Sequence, residues 1–174
     1  MTEFKVTDDL FFNRAGLDKT RTESIVENAL AGMDDGELFM EYRQSEGLSF
    51  DDGRLKSASF DTVQGFGLRA IADEATGYAH ASEVSEDAIR RAAETVKAVR
   101  TGYTGVATEG PQPTNRSLYS ESNPLTATPF EDKITLLSDI DAYARSSDPR
   151  VDQVMISLTG VSRERLPSNA NRRA

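Results

Sequence analysis

The feature that most constrains the fold is a long stretch, residues 37–82, in which apolar and polar side chains alternate. A period of two puts the two sets on opposite faces of a strand, so the stretch predicts β-structure. ELFMEYRQ (37–44) and GLSF (47–50) are two strand segments separated by a short polar break. Asp51-Asp52-Gly53 then tolerates the positive φ angles of a tight hairpin. RLKSASFDTV (54–63) should therefore turn back antiparallel.

The next segment, GFGLRAIADE (65–74), continues the alternation but carries glycines at the start of one face. Glycine inside a strand marks a bulge or a close approach by another backbone, so we expect tight packing at Gly65 and Gly67. A turn over residues 73–77 and a short strand, TGYAHAS (76–82), should complete a meander.

Two helices flank these strands. The first begins at Thr20, which has capping-box spacing to Glu23, and ends where Gly32 can take a left-handed cap position. The second follows Ser85 as its N-cap and ends before Gly102. Its apolar stripe consists of Ile89, Ala92, Ala93, Val96 and Val99.

A third helix is predicted after residues 103–128, which lack periodicity and read as a long loop. Thr128 is its expected N-cap, Pro129 its first residue, and Asp148-Pro149 lies beyond its end. Its apolar positions at helical spacing are Phe130, Ile134, Leu137, Ile140 and Ala144. VDQVMISLTG (151–160) is the last candidate strand.

This order of elements predicts an α+β fold, a mostly antiparallel meander of about five strands with about three helices packed on one face. We expect an N-terminal α+β region at 1–102, a loop or linker at 103–128, and a helix and strand of the same domain at 129–160. Residues 161–174 have four arginines, one glutamate and no periodicity, so we expect a divergent, disordered tail.

Composition narrows the possible functions. The net charge of −9 disfavours direct binding to nucleic acid, and the absence of cysteine excludes disulfides and thiolate ligands. No run approaches the roughly 18 apolar residues that cross a bilayer, and MTEFKVTDDLFF does not resemble an export signal. We therefore expect a cytoplasmic protein that does not bind membranes.

Few residues suggest chemistry. His80 is the single histidine, and a zinc site around it would need further ligands drawn from carboxylates. A catalytic Ser-His-Asp triad is not indicated, because the sequence has no G-x-S-x-G nucleophile elbow. Gly65-Phe66-Gly67 does not indicate a dinucleotide-binding site, because the third glycine and the following helix are missing. Three acidic pairs lie at predicted turns, where solvated carboxylates are common. Three aromatic residues are more simply explained by packing within the sheet than by stacking on a ligand. The pairs are Asp34-Asp35, Asp51-Asp52 and Asp73-Glu74, and the aromatic residues are Tyr42, Phe66 and Tyr78.

We accordingly assign no catalytic, cofactor-binding or metal-binding residue. What the pattern does supply is a sheet with exposed edges, to which a peptide or another subunit could add through main-chain hydrogen bonds.

The stretch LFMEYRQSEGLSFDDGRLKSASFDTVQGFGLRAIADEATGYAHASEVS resembles the N-terminal domain of the TldD/PmbA family, and the TldD branch in particular. The similarity continues through TPFEDKITLLSDIDAYARSSDPRVDQVMISLTG and covers most of residues 10–160. Family proteins have been called modulators of DNA gyrase. The resemblance implies a zinc metallopeptidase that cleaves unfolded peptides, including a microcin precursor and an antitoxin, with a PmbA-type (TldE) partner or as a homodimer.

The family's His-Glu-x-x-x-His helix and its cysteine ligand have no counterpart here, so no catalytic residue is carried over. The resemblance implies zinc for the full-length protein and a chain that is inactive alone, without its C-terminal catalytic half. The change after Gly160 predicts a truncated or frameshifted end. The alternatives are a non-catalytic module that binds a peptide or subunit, and a truncated remnant.

Overall fold

The sheet of this protein has four strands, in the spatial order β3-β2-β1-β4. A computed structural model describes residues 7–73, 75–98 and 122–169, without the side chains of 167–169. The strands are β1 (Asp35–Asp51), β2 (Arg54–Ala72), β3 (Ala75–Ala81) and β4 (Met155–Asn169). The helices are a π-helical segment (Asp9–Asn13), α1 (Lys19–Leu30), α2 (Glu86–Lys97), α3 (Pro124–Ala127) and α4 (Phe130–Ser147). The predicted α+β class with an antiparallel sheet is confirmed.

The strand count differs from the expected five because predicted neighbours merge. The segments 37–44 and 47–50 both lie in β1, and the segments 54–63 and 65–74 lie almost entirely in β2. Strand pairing uses main-chain groups, so a few polar or glycine residues interrupt the side-chain alternation without ending the strand. The π-helical segment and α3 are additional short helices that the spacing did not predict.

Both hairpin turns place acidic residues at positive φ. Asp52 and Gly53 have φ of 52° and 73°, the pair of positive angles that the predicted tight hairpin requires. Asp73 has φ of 54°, and Ala72 already pairs with Ala75. The predicted turn over residues 73–77 was therefore too long, because pairing with β2 extends β3 back to Ala75.

The chain divides into two compact units. Of the described residues, 7–42, 64–73, 75–98 and 164–169 form the first unit, and 43–63 and 122–163 form the second. In the first unit, helices and strands share a core that includes Val26, Leu38, Met40, Leu68 and Ile89. In the second, Leu48, Phe50 and Leu137 are buried, with Ile134, Ile156 and Leu158 packed against them.

Helices α1 and α2 of the first unit begin at capping side chains. Asp18, not Thr20, caps α1, and its carboxylate accepts a hydrogen bond from the Arg21 amide at 2.9 Å. The predicted start was wrong by two residues because Asp18 already satisfies a free amide of the first turn. Gly32 has the predicted positive φ, 75°. Ser85 caps α2 as predicted, 3.2 Å from the Ala88 amide.

Helix α4 begins one residue later than expected. Pro129 is the N-cap, without a side-chain hydrogen bond, so Thr128 is not the cap. The helix ends at Ser147, before Asp148-Pro149, as predicted. Of its predicted apolar stripe, Leu137 is buried, whereas Phe130 and Ile140 are 45% and 41% exposed.

Strand β4 continues well past its predicted end at Gly160, as far as Asn169. The expectation of a disordered tail is therefore wrong for residues 161–169, since main-chain pairing does not need apolar periodicity. Residues 170–174 and most of the predicted loop, 103–121, lie outside the described residues. No helix in the described ranges is long and apolar enough to cross a membrane.

Candidate interaction surface

His80 lies on an exposed face of β3, opposite Gly67 of β2. Its ring stacks on that of Tyr78, with centroids 5.6 Å apart and planes inclined by 28°. Within residues 7–73, 75–98 and 122–169, no three His, Cys, Asp or Glu side chains are grouped so that they could hold a metal ion. The structure therefore places His80 in an aromatic contact.

The two strand glycines are sites of close approach, as predicted. A Cβ on Gly67 would lie 2.6 Å from Tyr78 Oη, and one on Gly65 would lie 2.8 Å from the carbonyl oxygen of Ala81. In both cases the neighbour is β3. Strand β2 runs through both glycines to Ala72, so the helix that a dinucleotide site needs is absent at this point of the described chain.

The acidic pairs bind protein groups at turns and strand ends. Asp34 accepts a hydrogen bond from the Asp73 amide at 2.5 Å. Asp35 forms an ion pair with Arg69 at 3.3 Å. Asp51 is 3.7 Å from Lys56, and Asp52 pairs with a residue of α4. Glu74 is outside the described residues. The carboxylates of these four aspartates therefore have protein partners, whereas the sequence predicted simply solvated side chains.

Arg145 of α4 binds the β1–β2 turn, a contact that sequence reasoning missed. Its guanidinium contacts Asp52 and donates from Nε to Asp141 at 3.0 Å. The hydrogen bond to Asp141 raises the pKa of Arg145, and contacts with Asp52 add to this shift. A similar hydrogen bond from Arg150 lowers the pKa of Asp148 just after the helix. Both pKa shifts favour the charged forms of these side chains.

Lys133 lies in a buried ion pair that the sequence did not indicate. Its ammonium donates to Glu46 of β1 at 2.6 Å and to the carbonyl oxygen of Leu125 in α3 at 2.7 Å. Nearby, the Asn123 amide donates to Gln44 of β1 at 2.8 Å. These contacts connect α3 and α4 to the middle of β1 within the second unit.

Two sheet edges remain unpaired within the described residues. Strand β3 pairs with β2 at Phe66–Ala72, which leaves residues 54–63 of β2 without an outer neighbour. Strand β4 is the last strand on the other side. Apolar side chains are exposed along both. They are Leu55, Phe60 and Val63 on β2, and Met155 and Val161 on β4.

Comparison with known proteins agrees with this architecture. Residues 36–100, from β1 to just past α2, match the family model described as PmbA/TldA metallopeptidase domain 1. The metalloprotease TldD homolog of Haemophilus influenzae is 34% identical over 139 residues, 77% of this chain and 28% of the relative. The chain carries the first domain of the PmbA/TldD family. The predicted resemblance is confirmed.

A second sequence relative and two solved structures are also similar to this chain. The metalloprotease TldD homolog of Buchnera aphidicola (subsp. Schizaphis graminum) is 30% identical over 135 residues, again 77% of this chain. The crystal structure of TldE from Thermococcus kodakarensis superposes with a TM-score of 0.60 at 16% identity, over 85% of this chain and 35% of that one. The structure of a Bacteroides thetaiotaomicron protein described as a modulator of DNA gyrase superposes with a TM-score of 0.64 at 14% identity, over 88% of this chain and 36% of that one. At these identities the structures show the fold alone.

This chain spans 28% of the length of these curated relatives. The family is named for metallopeptidase activity, which raises the question of a metal site. The sequence has one histidine and no cysteine, and the described residues offer no group of three candidate ligands. This set does not fit a zinc site, which needs three or four converging ligands.

Proposed function

We propose that this chain is the N-terminal domain of a TldD-like metallopeptidase that acts on unfolded peptides together with a PmbA/TldE-type subunit or as a homodimer. The observation that carries the proposal is the match of residues 36–100 to a metallopeptidase first domain, supported by TldD homologs aligned over 77% of the chain. Microcin precursors and antitoxins are the implied substrates, and the cytoplasm is the proposed location.

In this proposal the domain shapes the peptide-binding chamber and the catalytic zinc is held by another part of the peptidase. Zinc supplies an activated water when its ligands leave one coordination position open. The donor set of this chain does not provide such ligands, so we expect the chain to be inactive alone. The net charge of −9 repels phosphate backbones, which favours a peptide over a nucleic acid as the bound partner.

A second candidate function is a binding module without an associated peptidase. The unpaired outer sides of β2 and β4 favour it, because an extended segment can add to a free edge through main-chain hydrogen bonds alone. Such binding needs no metal and no catalytic side chain.

Capture from native lysate distinguishes the two candidates. The tagged chain is incubated with lysate of its source cells, and the bound proteins are identified by mass spectrometry. Recovery of a PmbA-type subunit is the result expected for the peptidase domain. Recovery of unrelated proteins without that subunit would contradict it and favour the binding module. An unrelated tagged protein of similar negative charge serves as the control for ionic capture.

A further inference from the structure

The first eight residues of β4 lack the side chains that usually keep a sheet edge from pairing. Residues 155–162, MISLTGVS, contain no charged residue and no proline. Natural edge strands are usually protected by charges, proline or bulges, because their free N–H and C=O groups can bind another strand. The free part of β2 has such protection from Arg54, Lys56 and Asp61. The two edges of the second unit therefore differ in their tendency to pair.

The β4 edge also lies beside an existing core. Ile156 and Leu158 pack against Leu48, Phe50 and Leu137. In contrast, residues 54–63 of β2 are exposed on both faces, so a strand added there would have no core to extend. On the opposite face of β4, Met155 is 75% and Val161 45% exposed. A strand added to β4 would thus extend one apolar layer and cover exposed side chains on the other face.

We propose that residues 155–162 pair antiparallel with the same segment of a second copy, with Leu158 opposite Leu158. A twofold axis perpendicular to the sheet relates the strands, so opposed residues lie on the same face. Met155 then lies opposite Val161 of the second copy, and Ser157 lies opposite Thr159. Apolar pairs and hydroxyl pairs of this kind stabilise antiparallel strands.

The same register matches side-chain size on the core side. Ile156 lies opposite Gly160 of the second copy, where a Cβ would come within 2.5 Å of Leu125 Cδ2. The bulky residue of one strand therefore meets a glycine that is already covered by Leu125. The two Leu158 side chains meet at the axis and join the cores of the two copies.

Neighbouring registers are less favourable. Moving the axis to Thr159 places Met155 opposite the charged Arg163. Moving it to Ser157 places Val161 opposite Gln153, which lies before β4 and donates to Asp51 at 2.9 Å. Of these three registers, only the Leu158-centred one both keeps the partners of residues 155–161 within β4 and opposes no charged residue.

The pairing does not rest on the proposed peptidase role, because it needs only the purified chain. Sedimentation equilibrium of the full chain over a micromolar concentration series should show reversible dimers. In Met155→Lys with Val161→Lys, each lysine opposes another across the axis, so we expect a monomer. In Met155→Lys with Val161→Glu, each lysine opposes a glutamate, so the dimer should return. Circular dichroism checks that each variant retains its fold.

Leu55→Lys with Val63→Lys is the matched control on the other edge, since both residues are exposed on β2. This control should remain dimeric. A monomeric wild-type chain, a dimer that persists in the double-lysine variant, or loss of the dimer only in the β2 control would each overturn the proposal. Failure of the lysine and glutamate combination to restore the dimer would reject the register. These outcomes are independent of whether a PmbA-type subunit is captured.

Discussion

At the scale of single residues, Lys133 is the most consequential side chain of the second unit. It is 8% exposed, and its ammonium donates hydrogen bonds to the Glu46 carboxylate and to the Leu125 carbonyl oxygen. Removing one partner of a buried ion pair leaves an uncompensated charge and costs about 3–5 kcal/mol. We therefore expect Lys133→Met to lower the free energy of unfolding by that amount, measured by urea denaturation.

Two variants control this experiment. Lys97→Met removes a more exposed pair with Glu94 and should cost less than about 1 kcal/mol. Lys133→Met combined with Glu46→Leu removes both buried charges and should recover much of the lost stability. If Lys133→Met were no more destabilising than Lys97→Met, the buried pair would not contribute as described.

The two strand glycines differ in what surrounds them. At Gly65 the obstacle to a Cβ is the Ala81 backbone, whereas at Gly67 it is the end of the Tyr78 side chain, which is 61% exposed and can rotate. Gly65→Ala should therefore cost about 1–3 kcal/mol, the usual range for overpacking, and Gly67→Ala less. Thermal unfolding of the two variants gives the order, and the reverse order would contradict the packing.

Local residue roles were predictable, and distant contacts were not. The Asp51-Asp52-Gly53 turn depends on φ preferences of adjacent residues, which sequence displays directly. The pairs of Arg145 with Asp52 and of Lys133 with Glu46 join residues 93 and 87 positions apart. Nothing in the local pattern selects such partners from a chain with 29 acidic residues.

At the scale of elements, helices with strong end signals were predicted best. The helix after Ser85 has its cap, acidic first turn and apolar stripe in one short segment, and the structure reproduces its start. Strand lengths were predicted poorly, since β1 and β4 continue through residues without alternation. In α4, spacing did not reveal that Ile140 lies outside the core, because which side of a helix is buried depends on its tertiary neighbours.

Adjacent leucines of α4 test which side of the helix is buried. Leu137 is 1% exposed and Leu136 is 50% exposed. Leu137→Ala should lower the free energy of unfolding by about 2–5 kcal/mol through lost burial and a cavity. Leu136→Ala should change it by less than about 0.5 kcal/mol. Urea denaturation of both variants measures the difference, and equal effects would show that α4 packs differently.

At the scale of the whole molecule, the chain has the fold of the PmbA/TldD first domain and spans 28% of its curated relatives. Fold and family were predictable because long collinear similarity samples many positions at once. The candidate surface was predictable only as an exposed sheet edge, since sequence alone did not show which strands are outermost. Strand order shows which strands are outermost, and it separates the charged edge of β2 from the uncharged residues 155–162 at the edge of β4.

We propose that this domain does not cut peptides unless another part of a TldD-like peptidase supplies the zinc ligands. The direct measurement is hydrolysis of an unfolded peptide by the purified chain with added zinc, compared with His80→Ala and with a chelator. We predict no turnover above the rate without protein, in any of these conditions. Robust turnover by the wild-type chain that the chelator abolishes would contradict the claim.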